Sequence, residues 1–584
     1  MKTKFIFRKA GQSGSGLLVT IFMTGIALAT LAGALVWSMS STRLNERSNQ
    51  HARSVAAAEA VTEVVLGKIT RDFKLGGAKE VEANSSSYSE IILSSTNPGI
   101  WAGWEFSNAQ GESGKTYVDI GSFSTNYTEL DSAYSNLMGF VAPVTIISNA
   151  RLTNTVQEVV GAVKQSVQLA SIPIFQFALF SSGDMEISCG QPFRVTGKVH
   201  ANKWLYVEPD ANSLMFMSDV TCGETNVFTR HPLDTRTPPS GSVVYIDESL
   251  KKNKMPALTL PIGTSNSPTA IREILQPPPS GEDVDSVLGR QRYYNLADMI
   301  ITVAASGVTA TTGVPFGMNT IPSGHVRRFA FASSTNYFTD AREGKIVRPL
   351  NIDVAKLVGW SKTNRTTFGS RDVSSIYVLD TRTLAADELA AVRVFNGTNL
   401  PPSGLTVATA RPLYVQGNYN QTNALYLNTS NTTTTLPASL VADAITILSE
   451  NWKDANSTNS DRIASETTVN AALLTGVVET TLGHYSGGME NFPRFLEDWN
   501  PDPLPKVIFT YNGSMVRMFP SQYATNAWRG DDYVYDPPER NWAYDLNFNY
   551  AAKLPPLTPC LQRVIRGRWT TLAPNSLNNP PSSL

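Results

Sequence analysis

Leu17-Leu-Val-Thr-Ile-Phe-Met-Thr-Gly-Ile-Ala-Leu-Ala-Thr-Leu-Ala-Gly-Ala-Leu-Val-Trp-Ser-Met39 carries no charged residue. At about 1.5 Å per residue, a helix of this length spans roughly 35 Å, more than the ~30 Å hydrocarbon core of a bilayer. Lys2, Lys4, Arg8 and Lys9 precede it, and Arg43, Glu46, Arg47 and Arg53 follow. The balance of basic residues favours an N-terminus in the cytoplasm. A cleaved secretory signal has an apolar region of about 7–15 residues and a small-residue cleavage site directly behind it. The run here is longer, and Val36-Trp37-Ser38 is a poor site. The reading is a retained, single-pass membrane helix. From Ser40 to Phe73 there is no proline, and Gly67 is the only glycine. Leu44, Val55, Ala58, Val61, Val65, Leu66 and Ile69 recur near helical spacing. One continuous helix from Leu17 to Phe73 is therefore expected, stopped by Gly76-Gly77. A pair of helices broken near Ser38–Thr42 is the alternative.

A basic leader, then Gly14-Ser-Gly-Leu-Leu-Val-Thr-Ile21, an apolar helix and Ala57-Ala-Glu-Ala60 together resemble the N-terminal region of PilX-type minor pilins of type IV pili and secretion pseudopili. The resemblance implies a cytoplasmic leader, residues 1–16, cut between Gly16 and Leu17. It also implies an inner-membrane helix over 17–39 that packs against other pilin-like subunits as well as lipid, and an ectodomain in the periplasm or on the cell surface. Gly25, Ala29 and Gly33 are small residues that let a neighbouring helix approach closely. The chain departs from the family at the fifth mature position, where ordinary pilins carry Glu. Ile21 stands there after cleavage at Gly16, and Val19 after cleavage at Gly14. Some minor pilins at filament tips share that lack, so the resemblance points to a structural protein, with a place at the tip.

The chain has 584 residues, with Lys+Arg 48, Asp+Glu 49 and a net charge of −1. At roughly 100–200 residues per domain this allows about three to five domains. The balanced charge and the lack of a polybasic run argue against a nucleic-acid partner. Behind the membrane helix, 40–75 reads as its helical continuation. Residues 76–171 read as a small mixed, pilin-like region with strands at Val144–Leu152 and Glu158–Leu169. From Phe175 the texture becomes short strands punctuated by Gly183, Gly190 and Gly197. It returns at Leu413–Tyr419, Ala424–Leu427, Ser439–Leu448, Ala471–Glu479 and Val507–Arg517. The fold class expected is a mainly β ectodomain, a degenerate β-solenoid with a β-sandwich as alternative, behind a long N-terminal α-helix. The blocks are 172–254, a first solenoid-like block; 255–400, an irregular insertion or lobe with short helices at Ile271–Leu275 and Asp353–Trp360; and 401–584, a second block with the C-terminal region.

Chemistry is sparse. Cys189 and Cys222 each precede a glycine or end a strand-like run and could form a disulfide; three buried thiols with Cys560 is the alternative. The chain has 5 histidines, none spaced as a zinc pair, and no P-loop, GxGxxG or GxSxG. The densest polar-aromatic stretch is His484–Trp499. There Glu490 and Glu497 could form a glycosidase-like carboxylate pair, and Tyr485 and Trp499 could stack on a sugar. Arg494, lying between the acids, could instead pair with either and fix a loop. Asp531, Asp532 and Asp536 are weak candidates for Ca²⁺ ligands. No cofactor is implied and no enzyme activity is assigned. A membrane-tethered polysaccharide-binding or polysaccharide-degrading β-helix protein is the alternative function, with surface glycan as its partner.

Overall fold

The first helix, Ser15–Ala83, runs 69 residues without an interruption near Ser38–Thr42. Its axis is on the order of 100 Å long. Gly77, at φ 69° and ψ −157°, breaks it, a backbone state that glycine reaches without steric cost. The computed structural model describes residues 15–93, 99–122, 127–131, 136–155, 158–333, 335–459, 461–529 and 533–572.

The helix has two environments. Leu17 to Met39 is exposed, with Leu17 at 73% and Trp37 at 75%. From Ser54 onward one face is buried: Ala57, Ala58, Val61, Val65, Leu66, Ile69 and Phe73. That spacing is the one-sided stripe of a helix lying on a core.

It lies on an antiparallel sheet in which Trp104–Ser107 pairs with Met138–Leu152, and Met138–Leu152 with Gly161–Pro173. Tyr117–Ile120 and Tyr127–Glu129 pair along other parts of the same long strand. The next neighbour is Cys560–Leu572, from the far end of the sequence, in the register Cys560↔Pro173, Leu561↔Ile172 and Leu572↔Ala162. Strand alternation gives the sheet two buried faces. Ala142, Val144, Ile146, Val163, Val167 and Leu169 pack under the helix. Val141, Ala170, Ile172, Leu561 and Ile565 pack into the core of the rest of the chain. Residues 174–559 are thus inserted between two adjacent strands, with Ile174 N donating to Pro559 O at 3.0 Å across the entrance. The last strand of the helix-bearing sheet thus comes from 560–572, within the C-terminal region, and joins the strands of the 76–171 region.

The inserted body is built from parallel ladders. After Phe177–Ser181, Met185–Ile187 and Phe193–Val195, the chain repeats three sides as Lys198–Ala201, Leu205–Val207 and Ser213–Phe216. Each strand pairs in parallel with its equivalent one turn earlier. Val220–Cys222, Asn226–Val227 and Ser242–Tyr245 extend the same three ladders. Ladders of parallel strands stacked turn on turn differ from the mostly antiparallel sheets of a sandwich. Later in sequence, Ser375–Asp380, Leu405–Thr409, Ala438–Ala442, Thr467–Val477 and Ile508–Pro520 stack likewise. The last of these pairs with Phe177–Ser181. Spatial order therefore departs from chain order: the first turns in sequence sit beyond the last. One buried column crosses the junction, Met299–Ile376–Val407–Leu440–Leu473–Met515–Leu179–Val199–Val220. A second runs Ile352–Val394–Val415–Ile447–Phe495.

The stretch 255–400 is less of a separate lobe than its composition suggests. Met299–Ala304, Lys345–Asp353, Ser375–Asp380 and Glu388–Gly397 all take places in the ladders. The hairpin partner Gly307–Thr312 gives the region its irregular pattern. The short helix expected at Ile271–Leu275 is the end of an α-helix, Pro268–Arg272, continued by a 3-10 turn, Glu273–Leu275, and the one expected at Asp353–Trp360 is Val354–Thr363. The second is capped by Asp353, whose Oδ1 accepts from Lys356 N at 3.1 Å.

The seat of the helix depends on Gly161. A Cβ there would lie 2.3 Å from Val55 N and 2.4 Å from the Ser54 carbonyl carbon, both backbone atoms that cannot rotate away. Gly161→Ala should therefore cost about 1–3 kcal/mol by overpacking and raise proteolysis near Arg53. Gly359→Ala, in the helix Val354–Thr363 with open space around its Cβ position, should be neutral or stabilising by up to about 1 kcal/mol. Denaturant unfolding of the two variants checks the difference.

Candidate functional site

The feature that most sets this chain apart is the bare half of its helix. An apolar span exposes no backbone polar group, because each is bonded within the helix, and the threonine hydroxyls follow the same rule. Thr20 Oγ1 donates to the carbonyls of Gly16 at 3.0 Å and Leu17 at 2.9 Å. Thr30 Oγ1 donates to those of Ile26 at 3.0 Å and Ala27 at 2.9 Å. Thr24 bonds back to Thr20. The surface offered along Leu17–Met39 is therefore apolar, and none of it is buried. Gly25, Ala29 and Gly33, one helical turn apart, form a stripe of small residues; a Cβ at Gly25 or Gly33 would touch nothing in this chain. Gly16 and Leu17 lie in the first turn of the helix, and Val19 and Ile21 are apolar. The first acidic residue after Ser15 is Glu46.

In the stretch His484–Trp499, Glu490, Glu497 and Trp499 are buried. Trp499 is 0% exposed and packs edge-on against Phe495 and Phe509, so it has no face for a sugar. Both Glu490 oxygens accept from Ser188 N at 3.1 Å. Glu497 accepts from Ser449 N at 2.6 Å and Ser449 Oγ at 2.7 Å. The two carboxylates are committed to different parts of the stack and do not face one another as an acid–base pair. Burial raises both, Glu490 to about 8 and Glu497 to about 7. Arg494 pairs with neither; it bonds Glu343 at 2.6 Å and Ala524 O at 2.7 Å. Tyr485 is half-buried under the Arg236 guanidinium, 4.8 Å from its ring, with its hydroxyl 3.2 Å from Thr235 Oγ1.

The cysteine pairing is likewise corrected. Cys189 and Cys222 are buried free thiols. The register sets Cys222 beside Ala201, whereas Cys189 follows the strand on another side of an earlier turn and its carbonyl accepts from Asp210 N. Stacking thus brings each against a different neighbour. Cys222 Sγ donates to Asn253 Oδ1 at 3.1 Å, and burial pushes the two thiols up to about 12 and about 11. His200 is buried beside Phe180, with Nδ1 2.8 Å from Thr221 Oγ1 and Nε2 3.0 Å from Asn202 Oδ1. Its partners are side chains and not the turn backbone that its sequence context suggests. Burial lowers it to about 4, so it stays neutral near pH 7. Among the described residues no group of three His, Cys, Asp or Glu is arranged to hold a metal. Asp531 and Asp532 lie outside the described residues.

Two cavities have walls drawn from distant segments, and the smaller takes Ser486, Gly488, Met489, Asn491, Phe492 and Arg494 from the stretch singled out in the sequence. A cleft of about 640 Å³ lies where the helix breaks, lined by Gly77, Lys79, Phe140, Pro261, Arg290 and Cys560 among others. A small one of about 30 Å³ is lined by Glu186, Arg342, Glu479, Arg494 and Arg517.

No family model and no curated protein matches the chain. Among solved structures, it is similar to the crystal structure of the competence-associated pilin ComZ from Thermus thermophilus, at 10% identity and a TM-score of 0.26, covering 86% of this chain and 97% of that one.

A structural role for Glu490 has a pH signature. Its carboxyl sits near 8 in the folded chain against an ordinary value of 4.5. Its contribution to stability is complete below about 4.5 and is lost as pH rises through about 8. Relative to the unaltered chain, Glu490→Gln should gain at least about 1 °C in Tm between pH 5 and pH 9, the shift expected for about 1 kcal/mol in a chain of this length. Parallel Tm–pH profiles for the two proteins would contradict the assignment.

Proposed function

We propose that this chain is a structural protein of the bacterial envelope, a minor pilin-like component of a type IV pilus or secretion pseudopilus. In this reading the bare half of the helix is its assembly and membrane-anchoring element. The observation that carries the reading is the division of a single helix: Leu17–Met39 is exposed and apolar, while Ala57–Phe73 is packed on an antiparallel sheet. A membrane anchor needs only the first part. A rigid continuation locked to a folded domain fixes the direction and distance at which the ectodomain is presented. The stripe at Gly25, Ala29 and Gly33 suits close helix–helix packing.

The sequence motifs around Gly16 and Ala57–Ala60 favour the PilX-type minor pilins, with the leader removed after Gly16. The basic residues ahead of Leu17 favour a cytoplasmic N-terminus and an ectodomain in the periplasm or at the cell surface. Tip placement is supported by two features. With no acid between Leu17 and Met39, the helix cannot neutralise the N-terminal amine of a neighbour. The inserted body, 174–559, is bulky for a subunit repeated along a thin filament. A role as a polysaccharide-degrading protein has less support, since Glu490, Glu497 and Trp499 are buried structural residues.

The reading is tested by shear fractionation of cells with and without prepilin peptidase, quantifying this chain against the major pilin. A few copies per filament, dependent on the peptidase, are expected. Near-equal stoichiometry would overturn the tip placement, and complete absence from sheared filaments would leave a plain membrane anchor. Gly25→Leu with Gly33→Leu should cut incorporation several-fold while leaving membrane retention unchanged.

A further inference from the structure

One stretch of the helix, Ser40–Arg53, belongs neither to the apolar span nor to the half packed on the sheet, whose first buried residue is Ser54. The charged residues of this stretch are Arg43, Glu46, Arg47 and Arg53, and all four are exposed. Among the described residues the three arginine side chains make no ion pair and no hydrogen bond. The fold gives them nothing to hold. Nor does membrane orientation explain them. Basic residues ahead of Leu17 favour a cytoplasmic N-terminus, and arginines behind the span work against that bias.

Their distance from the span separates the three. At the helical rise, Arg43 lies about 6 Å beyond Met39, Arg47 about 12 Å and Arg53 about 21 Å. The headgroup layer is roughly 5–8 Å thick on each side of the hydrocarbon core. Cα–Cβ bonds of a helix tilt toward its N-terminus, so Arg43 and Arg47 lean back toward the span, and their long side chains bring the guanidinium groups to headgroup level. Arg53 starts well beyond it. Arg43 and Arg47, four positions apart, share one face of the helix. Glu46, the one acid here, is turned about 60° from Arg43 and about 100° from Arg47, and it pairs with neither. Leu44, 65% exposed, adds an apolar side chain at the same depth.

A face with two free guanidinium groups at this depth fits phosphate. The guanidinium fork donates two parallel N–H groups to phosphate oxygens. An anionic headgroup fits better than a zwitterionic one, whose own ammonium group opposes the arginines. We propose that Arg43 and Arg47 form a binding site for the phosphate groups of anionic phospholipids in the leaflet where the span ends. The site fixes the depth of the helix and so the height at which the ectodomain stands above the bilayer. The inference rests on the reading of Leu17–Met39 as a membrane span.

The test uses the full chain in phosphatidylcholine vesicles containing a minor share of phosphatidylglycerol. Spin-labelled versions of the two lipids report, by electron paramagnetic resonance, how much of each is immobilised at the protein. The unaltered chain should immobilise phosphatidylglycerol several-fold more than phosphatidylcholine, and about 1 M salt should reduce the difference. Arg43→Gln with Arg47→Gln should remove most of the preference, and Arg53→Gln should leave it unchanged. All three positions are exposed, so the variants should keep the Tm of the unaltered chain. The basic leader is the same in every variant, so the differences between variants read this site alone. An unchanged preference in the double variant, or an equal loss in Arg53→Gln, would overturn the proposal. Lost filament incorporation with unchanged lipid preference would also overturn it, by making another subunit the partner of these arginines. Extraction of the unaltered chain from membranes by alkaline carbonate would instead overturn the membrane-span reading beneath it.

Discussion

The pairing of Cys560–Leu572 with Gly161–Pro173 is the constraint on which the rest of the architecture depends. It makes one sheet serve two cores. One face receives the helix through Val144, Ile146, Val163, Val167 and Leu169; the other meets the body through Val141, Ile172, Leu561 and Ile565. It also returns the chain to its starting point, so that 174–559 leaves and re-enters through adjacent strands. A domain tethered at one point can swing on its linker. One held by two neighbouring strands, with Ile174 bonded to Pro559, has its orientation tied to the sheet and through it to the helix. Further ties run the same way. Gly263 N donates to Leu75 O at the helix break, and Arg566 makes a two-pronged pair with Glu63, an exposed contact worth little alone.

Inside the body, the apolar columns supply most of the cohesion and the buried carboxylates fix the loops. Stacked turns bury one another's faces, so each turn is stabilised chiefly by its neighbours. The column from Met299 to Val220 runs through the junction of Ile508–Pro520 with Phe177–Ser181 and so joins the two sequence-distant blocks into one core. Buried acids then fix the irregular connections. Asp443 accepts from Gln522, Tyr523 and Ala524 backbone nitrogens and pairs with Arg272 at 2.9 Å. Glu490 and Glu497 do the same for Ser188 and Ser449. Carboxylates in aromatic-rich loops thus act here as clamps on backbone N–H groups, groups that would be costly to bury unpaired.

How much of this is legible in the sequence follows from how local each signal is. The helix is legible because its apolar run, its helical spacing and the Gly76-Gly77 stop all lie within one stretch. The β-rich texture, the helix at Asp353 and the two long strands of the first sheet are legible for the same reason. The assignment of Cys560–Leu572 to the first sheet is not, since a strand pattern does not name its partner and this one lies some four hundred positions away. The permuted stacking order is hidden likewise. The hairpin Met299–Thr312 makes 255–400 read as irregular although its strands join the ladders. At the candidate sites, residue type misleads where burial decides. Trp499 and Glu490 have the composition of a sugar site and the environment of a core.

The proposed function requires the exposed half of the helix to be a surface for pilin-like helices and not merely a lipid anchor. A photo-activatable cross-linking residue placed at Ala29 in cells addresses it most directly, because that position lies in the middle of the small-residue stripe and is exposed. The account expects discrete cross-linked products with pilin-like subunits, lost when the same probe is moved to the exposed body residue Leu425. Cross-links to lipid alone, at Ala29 as at any other position of the span, would contradict it.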